Sequence, residues 1–176
     1  MEYYSLTIGK LVRKLPIVNI GKNLKVASFN LLGDRELVET IAPQMLEKLK
    51  DIKFDYLVGP EVKVVPLLHV MAEKLNQARY IVCRKNVHGY MVLPLKSNIR
   101  EGLVLDGQDA QLIKGKKVVV VDDVVSSGNT WEVMDDLVKK AGAEVVCHLA
   151  IIKQGETPLK TSGKVIFLGK LPVFTS

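Results

Sequence analysis

The sequence predicts an α/β fold, a doubly wound and mainly parallel sheet flanked by helices. Short β-rich runs alternate with helical patterns, as in a chain of βαβ units. One run, Lys117 to Val121, carries four consecutive valines, as a central strand buried on both faces does. The 176 residues, 48% hydrophobic and 25% charged, suffice for one core and are too few for two ordinary domains. The expected organisation is one domain over 1–176, without linker, internal repeat or low-complexity segment.

The first helix is predicted after Asp34, a capping residue, because Leu37, Val38, Ile41, Met45 and Leu49 recur at three- and four-residue steps. Pro43 within it predicts a kink or a later start. Residues 54–58, FDYLV, read as a strand. From Val64, the series Leu67, Leu68, Met71, Ala72 and Leu75 marks one helix face. Tyr80 to Cys83 is a further strand. Between Arg84 and Lys116 no helical period is evident, only β-prone pieces around 90–95 and 103–105, so a long mobile, hairpin-like excursion is expected there. After the valine strand a helix begins near Thr130, with Val133, Met134, Leu137, Val138 and Ala141 inward and Gly142 as its stop. Residues 144–152 and 164–168 supply two more strands.

Several function classes are excluded on composition. Apolar runs of about five residues fall far short of the roughly 20 needed by a membrane helix. The opening MEYYSLTIGK lacks a signal-peptide pattern, so a cytoplasmic location is expected. Cys83 and Cys147, 64 positions apart within apolar runs, fit buried thiols rather than a disulfide or a zinc site. The net charge is +6, and +4 of it lies between Arg84 and Lys117, where seven basic residues face three acidic ones. Such a stretch suits a polyphosphate or a solvated basic face; no nucleic-acid module accompanies it, and no nucleic acid partner is expected.

Ligands of open parallel sheets bind beyond the carboxyl ends of the strands. At the end of the valine strand stand Asp122 and Asp123, then Val124, Val125, Ser126, Ser127, Gly128, Asn129 and Thr130. A turn of small hydroxyl and glycine residues leading into a helix offers consecutive N–H donors and the positive end of the helix dipole, a cradle for a phosphate monoester. Two carboxylates just before it would repel a phosphate, so they face something else: sugar hydroxyls, or a hydrated Mg²⁺ held by one or two carboxylates. Together these residues have the complementarity of a ribose 5-phosphate. The plainer alternative, a strand end followed by a capped helix, accounts for one serine or threonine but not for the acidic pair. Neither a Walker A loop nor a G-x-G-x-x-G turn occurs. A receiver domain, whose acidic pair lies near its beginning, is disfavoured because only 54 residues follow Asp122.

VVVVDDVVSSGNT resembles the phosphoribosyl pyrophosphate binding motif of type I phosphoribosyltransferases, and FDYLVGPEVKVVPLLHVMAEKL and RKNVHGY are similar to segments of the adenine and xanthine group. The resemblance implies that family's fold and a purine phosphoribosyltransferase, adenine preferred, transferring the phosphoribosyl group of phosphoribosyl pyrophosphate to a base. It implies that Asp122 and Asp123 hold the ribose hydroxyls and help place Mg²⁺, that Ser126 to Thr130 bind the 5-phosphate, and that Glu61, Val62, Lys63 and Val64 form the pyrophosphate loop. Arg84 and Lys85 would reach the pyrophosphate, and a homodimer is expected. The chain departs from its relatives in having Ser127-Gly128-Asn129 for threonine-glycine-glycine and Lys63 where arginine and glycine are common. The adenine enzymes' N-terminal Phe-Pro segment is absent, although LKVASFN is similar to the xanthine segment, so a 6-oxopurine competes with adenine. The changed loop and a missing acid motivate the alternative, a non-catalytic regulator binding phosphoribosyl pyrophosphate or a nucleotide. His88 reads either as a phosphate or base contact or as an exposed loop residue. His69 and His148 read as core histidines, and Trp131 and Tyr90 either as ligand-stacking rings or as packing.

Overall fold

The computed structural model describes residues 2–99, 102–161 and 163–175. Arg100 and Glu101, which enter the charge count of the basic excursion, lie outside the described residues. In chain order the elements are β1 (Tyr3–Ile8), β2 (Leu11–Gly21), β3 (Leu24–Ala27), α1 (Arg35–Leu49), β4 (Tyr56–Pro60), α2 (Val65–Lys74), β5 (Ile81–Cys83), β6 (Leu95–Lys96), β7 (Val104–Leu105), α3 (Gly107–Ile113), β8 (Lys117–Val125), α4 (Asn129–Lys140), β9 (Glu144–Gln154), β10 (Val165–Leu171) and β11 (Val173–Thr175). Among the described residues no helix is long and apolar enough to cross a membrane.

Strands β5, β4, β8, β9 and β10 lie in that order in one sheet, and every neighbouring pair is parallel. The four consecutive valines of β8, 118–121, are fully buried and divide by parity. Val119 and Val121 pack with Leu57, Leu149 and Ile151 under α1 and α2, while Val118 and Val120 pack with Ala150, Ile113 and Met134 under α3 and α4. This two-sided burial explains why the run shows no polar alternation. The chain goes outward from β4 to β5 and then returns past β4 to β8, so the order reverses between β4 and β8. That reversal opens a crevice at their carboxyl ends.

Helix α1 starts where the sequence predicts: the Asp34 carboxylate accepts the N–H of Leu37 at 3.0 Å, and Leu37, Val38, Ile41, Met45 and Leu49 are buried. It runs through Pro43 rather than starting after it. Helix α4 ends at Gly142, whose φ of +73° is the expected left-handed stop. Both cysteines are buried and free, and desolvation pushes the Cys83 thiol up to about 12 and that of Cys147 up to about 11.

Three features depart from the sequence expectations. A second, antiparallel sheet of order β1, β2, β3, β11 joins the two ends of the chain, and Arg13 of β2 ties it to α1 through Asp34 (2.7 and 3.0 Å) and Glu36 (2.8 Å). Pro16 lies within β2 although proline cannot donate to a ladder; it still contributes its carbonyl, which accepts the N–H of Ser28 at 2.9 Å. The basic excursion holds the short antiparallel pair β6 and β7 but also α3, whose seven residues are too few for a readable period; Asp106 caps it by accepting the Gln108 N–H. His69 is exposed and meets the ring of Tyr80 edge-on, because it lies on the outer face of α2, whereas His148 is buried as expected.

At the reversal point β4 runs hard against β8. A Cβ added at Gly59 would stand 2.8 Å from the Val121 carbonyl oxygen, 2.8 Å from Val64 Cγ1 and 2.9 Å from Leu68 Cδ1. Gly59→Ala is therefore expected to destabilise by about 1–3 kcal/mol and to lower Tm by about 3–10 °C in a chain of this size. Calorimetric melting checks this, and an unchanged Tm would contradict the close approach.

Candidate functional site

Each peptide of the 126–128 loop is held by its carbonyl. Ser126 O accepts Lys153 Nζ at 2.7 Å, Ser127 O accepts the Lys160 N–H at 3.0 Å, and Gly128 O accepts the Glu132 N–H at 3.0 Å. A trans peptide sets its C=O and N–H in opposite directions. The N–H groups of Ser127, Gly128 and Asn129 are thus turned away from those three donors, and none has a backbone partner among the described residues. Gly128 has φ +83°, a left-handed conformation that side chains with a Cβ rarely adopt, and it stands at the N-cap of α4. The result is a concave row of free donors at a helix N-terminus, suited to an anion.

Two strand residues, Val124 and Val125, separate this loop from the acidic pair, both of whose members are buried. Asp122 Oδ1 accepts the Asp123 N–H at 2.9 Å. Burial, then the neighbouring Asp123 charge, holds the Asp122 carboxyl well above the usual carboxylate range. Asp123 Oδ2 is buried without a hydrogen bond; its nearest cation, Lys63 Nζ, stands 3.8 Å away, an ion pair too long to be a hydrogen bond. An orphan acceptor of this kind calls for a donor or cation from a ligand.

Across the crevice the 61–64 turn follows β4. Glu61 Oε2 accepts the Lys85 N–H at 2.9 Å and Arg84 Nε at 3.1 Å, and these bonds, the backbone one foremost, hold the Glu61 carboxyl below its usual range. Arg84 also meets His88 Nε2 at 3.3 Å and lies 6.0 Å from the centroid of the Tyr90 ring, which is itself stacked on His88.

These parts surround a cleft of about 760 Å³. Of the residues expected at a site, Glu61, Val62, Lys63, Val64, Lys85, Asp122, Asp123, Val124, Asn129 and Thr130 line it. Arg84 does not, because its guanidinium is engaged with Glu61; Val125 is buried behind the loop, and Ser126, Ser127 and Gly128 shape the loop rather than the cleft wall. Neither candidate aromatic reaches the cleft: Trp131 is fully buried in the core, and Tyr90 is exposed beside His88. The apolar wall comes instead from Leu32, Val62, Leu103 and Val133. Sequence reading missed Leu32, Leu103 and Val133. Val133 was legible only as one helical turn past Asn129, and the other two have no local signal.

The family model described as phosphoribosyl transferase domain matches residues 33–174, which span both strand ends and the loop between them. The chain belongs to that family. Similar relatives of this family member include the adenine phosphoribosyltransferase of Thermosipho africanus, 32% identical over 124 residues that cover 70% of this chain and 73% of the relative. That of Thermosipho melanesiensis is 29% identical over 154 residues, covering 87% and 88%. In fold, the chain is similar to the crystal structure of adenine phosphoribosyltransferase from Thermoanaerobacter pseudethanolicus, with a TM-score of 0.71 at 20% identity over 89% of this chain and 95% of that one.

A carboxyl raised in the folded state binds its proton more tightly there than in the unfolded chain. The stability it contributes is therefore greatest at low pH and is lost as pH rises through the folded value. Asp122→Asn keeps an acceptor for the Asp123 N–H and removes the buried charge. It is expected to raise Tm at neutral pH by about 2 °C or more, with the gain shrinking as pH falls into the acidic range. Melting curves across that range check both signs.

Proposed function

We propose that this chain is a purine phosphoribosyltransferase of nucleotide salvage, with adenine the preferred base. The observation that carries the reading is the row of three free N–H donors at Ser127, Gly128 and Asn129 directly beyond a buried carboxylate pair, at the point where the sheet order reverses. The adenine specificity named for its relatives supports the choice of base.

In this reading the 5-phosphate sits on the 126–130 loop and the ribose hydroxyls donate to Asp122 and Asp123. The diphosphate extends across the crevice toward the 61–64 turn and Lys85. The base lies against Leu32, Val62 and Leu103. Transfer forms a bond from a ring nitrogen of the base to C1 of the ribose and breaks the bond from C1 to the diphosphate oxygen. That oxygen keeps the electron pair, and the base nitrogen gives up its proton to solvent. Little acid-base work falls on the protein; Lys85, beside the diphosphate, stabilises the charge that the leaving group gains. Closure of the 85–91 turn of the excursion, whose later part is docked on α4 and in the core, would shield the electron-poor C1 from water.

The donor set fits Mg²⁺. Asp123 Oδ2 is a buried acceptor without a hydrogen bond, beside a second carboxylate, and Mg²⁺ takes one or two carboxylates and completes its shell with water and phosphate oxygens. Asp122 and Asp123 would hold it, and Mg²⁺ would neutralise part of the charge on the diphosphate. A homodimer, drawn from the resemblance, and a cytoplasmic location, drawn from apolar runs too short for a membrane helix, complete the proposal.

Pyrophosphate release from phosphoribosyl pyrophosphate and Mg²⁺, measured with adenine, hypoxanthine, guanine, xanthine, orotate and uracil, tests the reading. Turnover is expected to be highest with adenine, and the Asp122→Asn, Asp123→Asn double variant should show no calorimetric binding of phosphoribosyl pyrophosphate. Higher turnover with orotate or uracil would overturn the purine assignment, and turnover with no base would favour the regulator. Arg84→Ala with Lys85→Ala should lower kcat/KM at least about tenfold while the product nucleotide, which lacks the diphosphate, keeps its Kd within about threefold. Equal losses would move these residues to the base or the 5-phosphate.

A further inference from the structure

Lys153 stands near the carboxyl end of β9, paired in register with Val125 of β8, and is only 6% exposed. Its ammonium donates to three carbonyls, Ser126 O at 2.7 Å, Gly155 O at 3.1 Å and Gln154 O at 3.2 Å, so each of its protons has a partner. Among the described residues it has no carboxylate within ion-pair distance; the nearby Glu156 pairs with Lys170 at 3.3 Å. Three carbonyls satisfy the hydrogen bonds of an ammonium but supply no full negative charge, and Glu156, which attracts it from a distance, is exposed and engaged with Lys170. A buried cation without a close counter-ion is destabilising. Burial accordingly pulls the Lys153 ammonium below the usual lysine range.

The loop in front of this cation, Ser126 to Thr130, has no basic side chain of its own. Lys153 acts on it in two ways. By gripping Ser126 O it fixes the Ser126–Ser127 peptide and so aims the Ser127 N–H the opposite way. By standing on the far side of that peptide it adds a full positive charge, and polarises the Ser126 carbonyl toward itself, in a water-poor setting where charges interact more strongly than in solvent. We infer that Lys153 is the positioning residue of the phosphate site: a buried cation behind the loop whose missing counter-ion is the phosphate monoester in front of it. The inference rests on the phosphate-loop reading proposed above and adds to it a residue that does not touch the ligand.

The probes are ribose 5-phosphate and inorganic pyrophosphate, titrated calorimetrically into the full-length protein at one fixed salt concentration, with Lys153→Met, Lys153→Gln and Lys153→Arg. Lys153→Met should weaken ribose 5-phosphate at least about tenfold, and leave pyrophosphate within about twofold. Lys153→Arg, which restores the charge, should recover most of the loss, and in turnover the methionine variant should raise KM for phosphoribosyl pyrophosphate more than it lowers kcat. Lys153→Gln keeps an N–H donor without the charge. Should the methionine variant fail to fold, a comparable loss of ribose 5-phosphate affinity in the glutamine variant supports the inference. Ribose 5-phosphate bound as tightly by the neutral variants as by the unsubstituted protein, or an equal loss of both probes, would overturn it. Failure of the unsubstituted protein to bind ribose 5-phosphate would overturn the phosphate-loop reading itself.

Discussion

Strand β8 is buried on both faces, and that constraint sets where the groups of the cleft stand. Its valines alternate between the α1–α2 layer and the α3–α4 layer, so the strand can neither slip by one residue nor twist out without moving both cores. The residues beyond the valines are consequently delivered to one place. Asp122 and Asp123 emerge at the carboxyl end of the sheet beside β4, and the 126–128 loop turns directly into α4. Because β4 is the strand at which the order reverses, its own succeeding turn, 61–64, faces the acidic pair across the crevice, as the Lys63 to Asp123 distance of 3.8 Å records.

The electrostatics of the cleft are set by burial more than by the count of charges. Asp122 is held toward its protonated form, and Asp123 keeps an unpartnered oxygen. Folding here tolerates unsatisfied polar groups that a ligand would satisfy, the usual mark of a site rather than of a scaffold. The opposite charge is kept behind the backbone, where Lys153 is satisfied by carbonyls and screened from water. Among the described residues Lys153 forms no ion pair with the acidic pair, whose own cation in the cleft is Lys63, 3.8 Å from Asp123.

Outside the central sheet the chain closes on itself. The last strand, β11, pairs with β3 in a sheet that begins at Tyr3, and Arg13 locks this sheet to the cap of α1. Segment 28–34, which leads from that sheet into α1, brings Leu32 to the cleft. The excursion after β5 is anchored too: Asp136 of α4 accepts the Asn98 N–H at 2.8 Å, and Lys140 donates to Lys96 O. One helix, α4, thus starts at the Asn129 N–H and carries the docking points for the excursion, Asp136 and Lys140, two and three turns later.

The sequence by itself determined everything written in local period and local chemistry. The valine run announced a two-sided strand, the apolar steps of 37–49 and 133–141 announced helix faces, and the Asp-Asp and Ser-Ser-Gly-Asn-Thr succession announced carboxylates beside a donor-rich turn, because in each case the neighbours in sequence are the neighbours that interact. Only the tertiary structure decided matters that depend on distant partners. The antiparallel sheet was hidden because β11 finds β3 from the other end of the chain, and Pro16 speaks against a strand until its neighbours are known. The seven-residue α3 is held by its cap and its packing rather than by a pattern long enough to read. The burial of Trp131, the exposure of His69 and the apolar wall of Leu32 and Leu103 come from how layers stack, which periodicity alone does not report. Lys153 is the plainest case. Between Ile152 and Gln154 it reads as one more charged residue closing a strand, and its role appears only when β9 is laid beside β8 and three carbonyls converge on its ammonium.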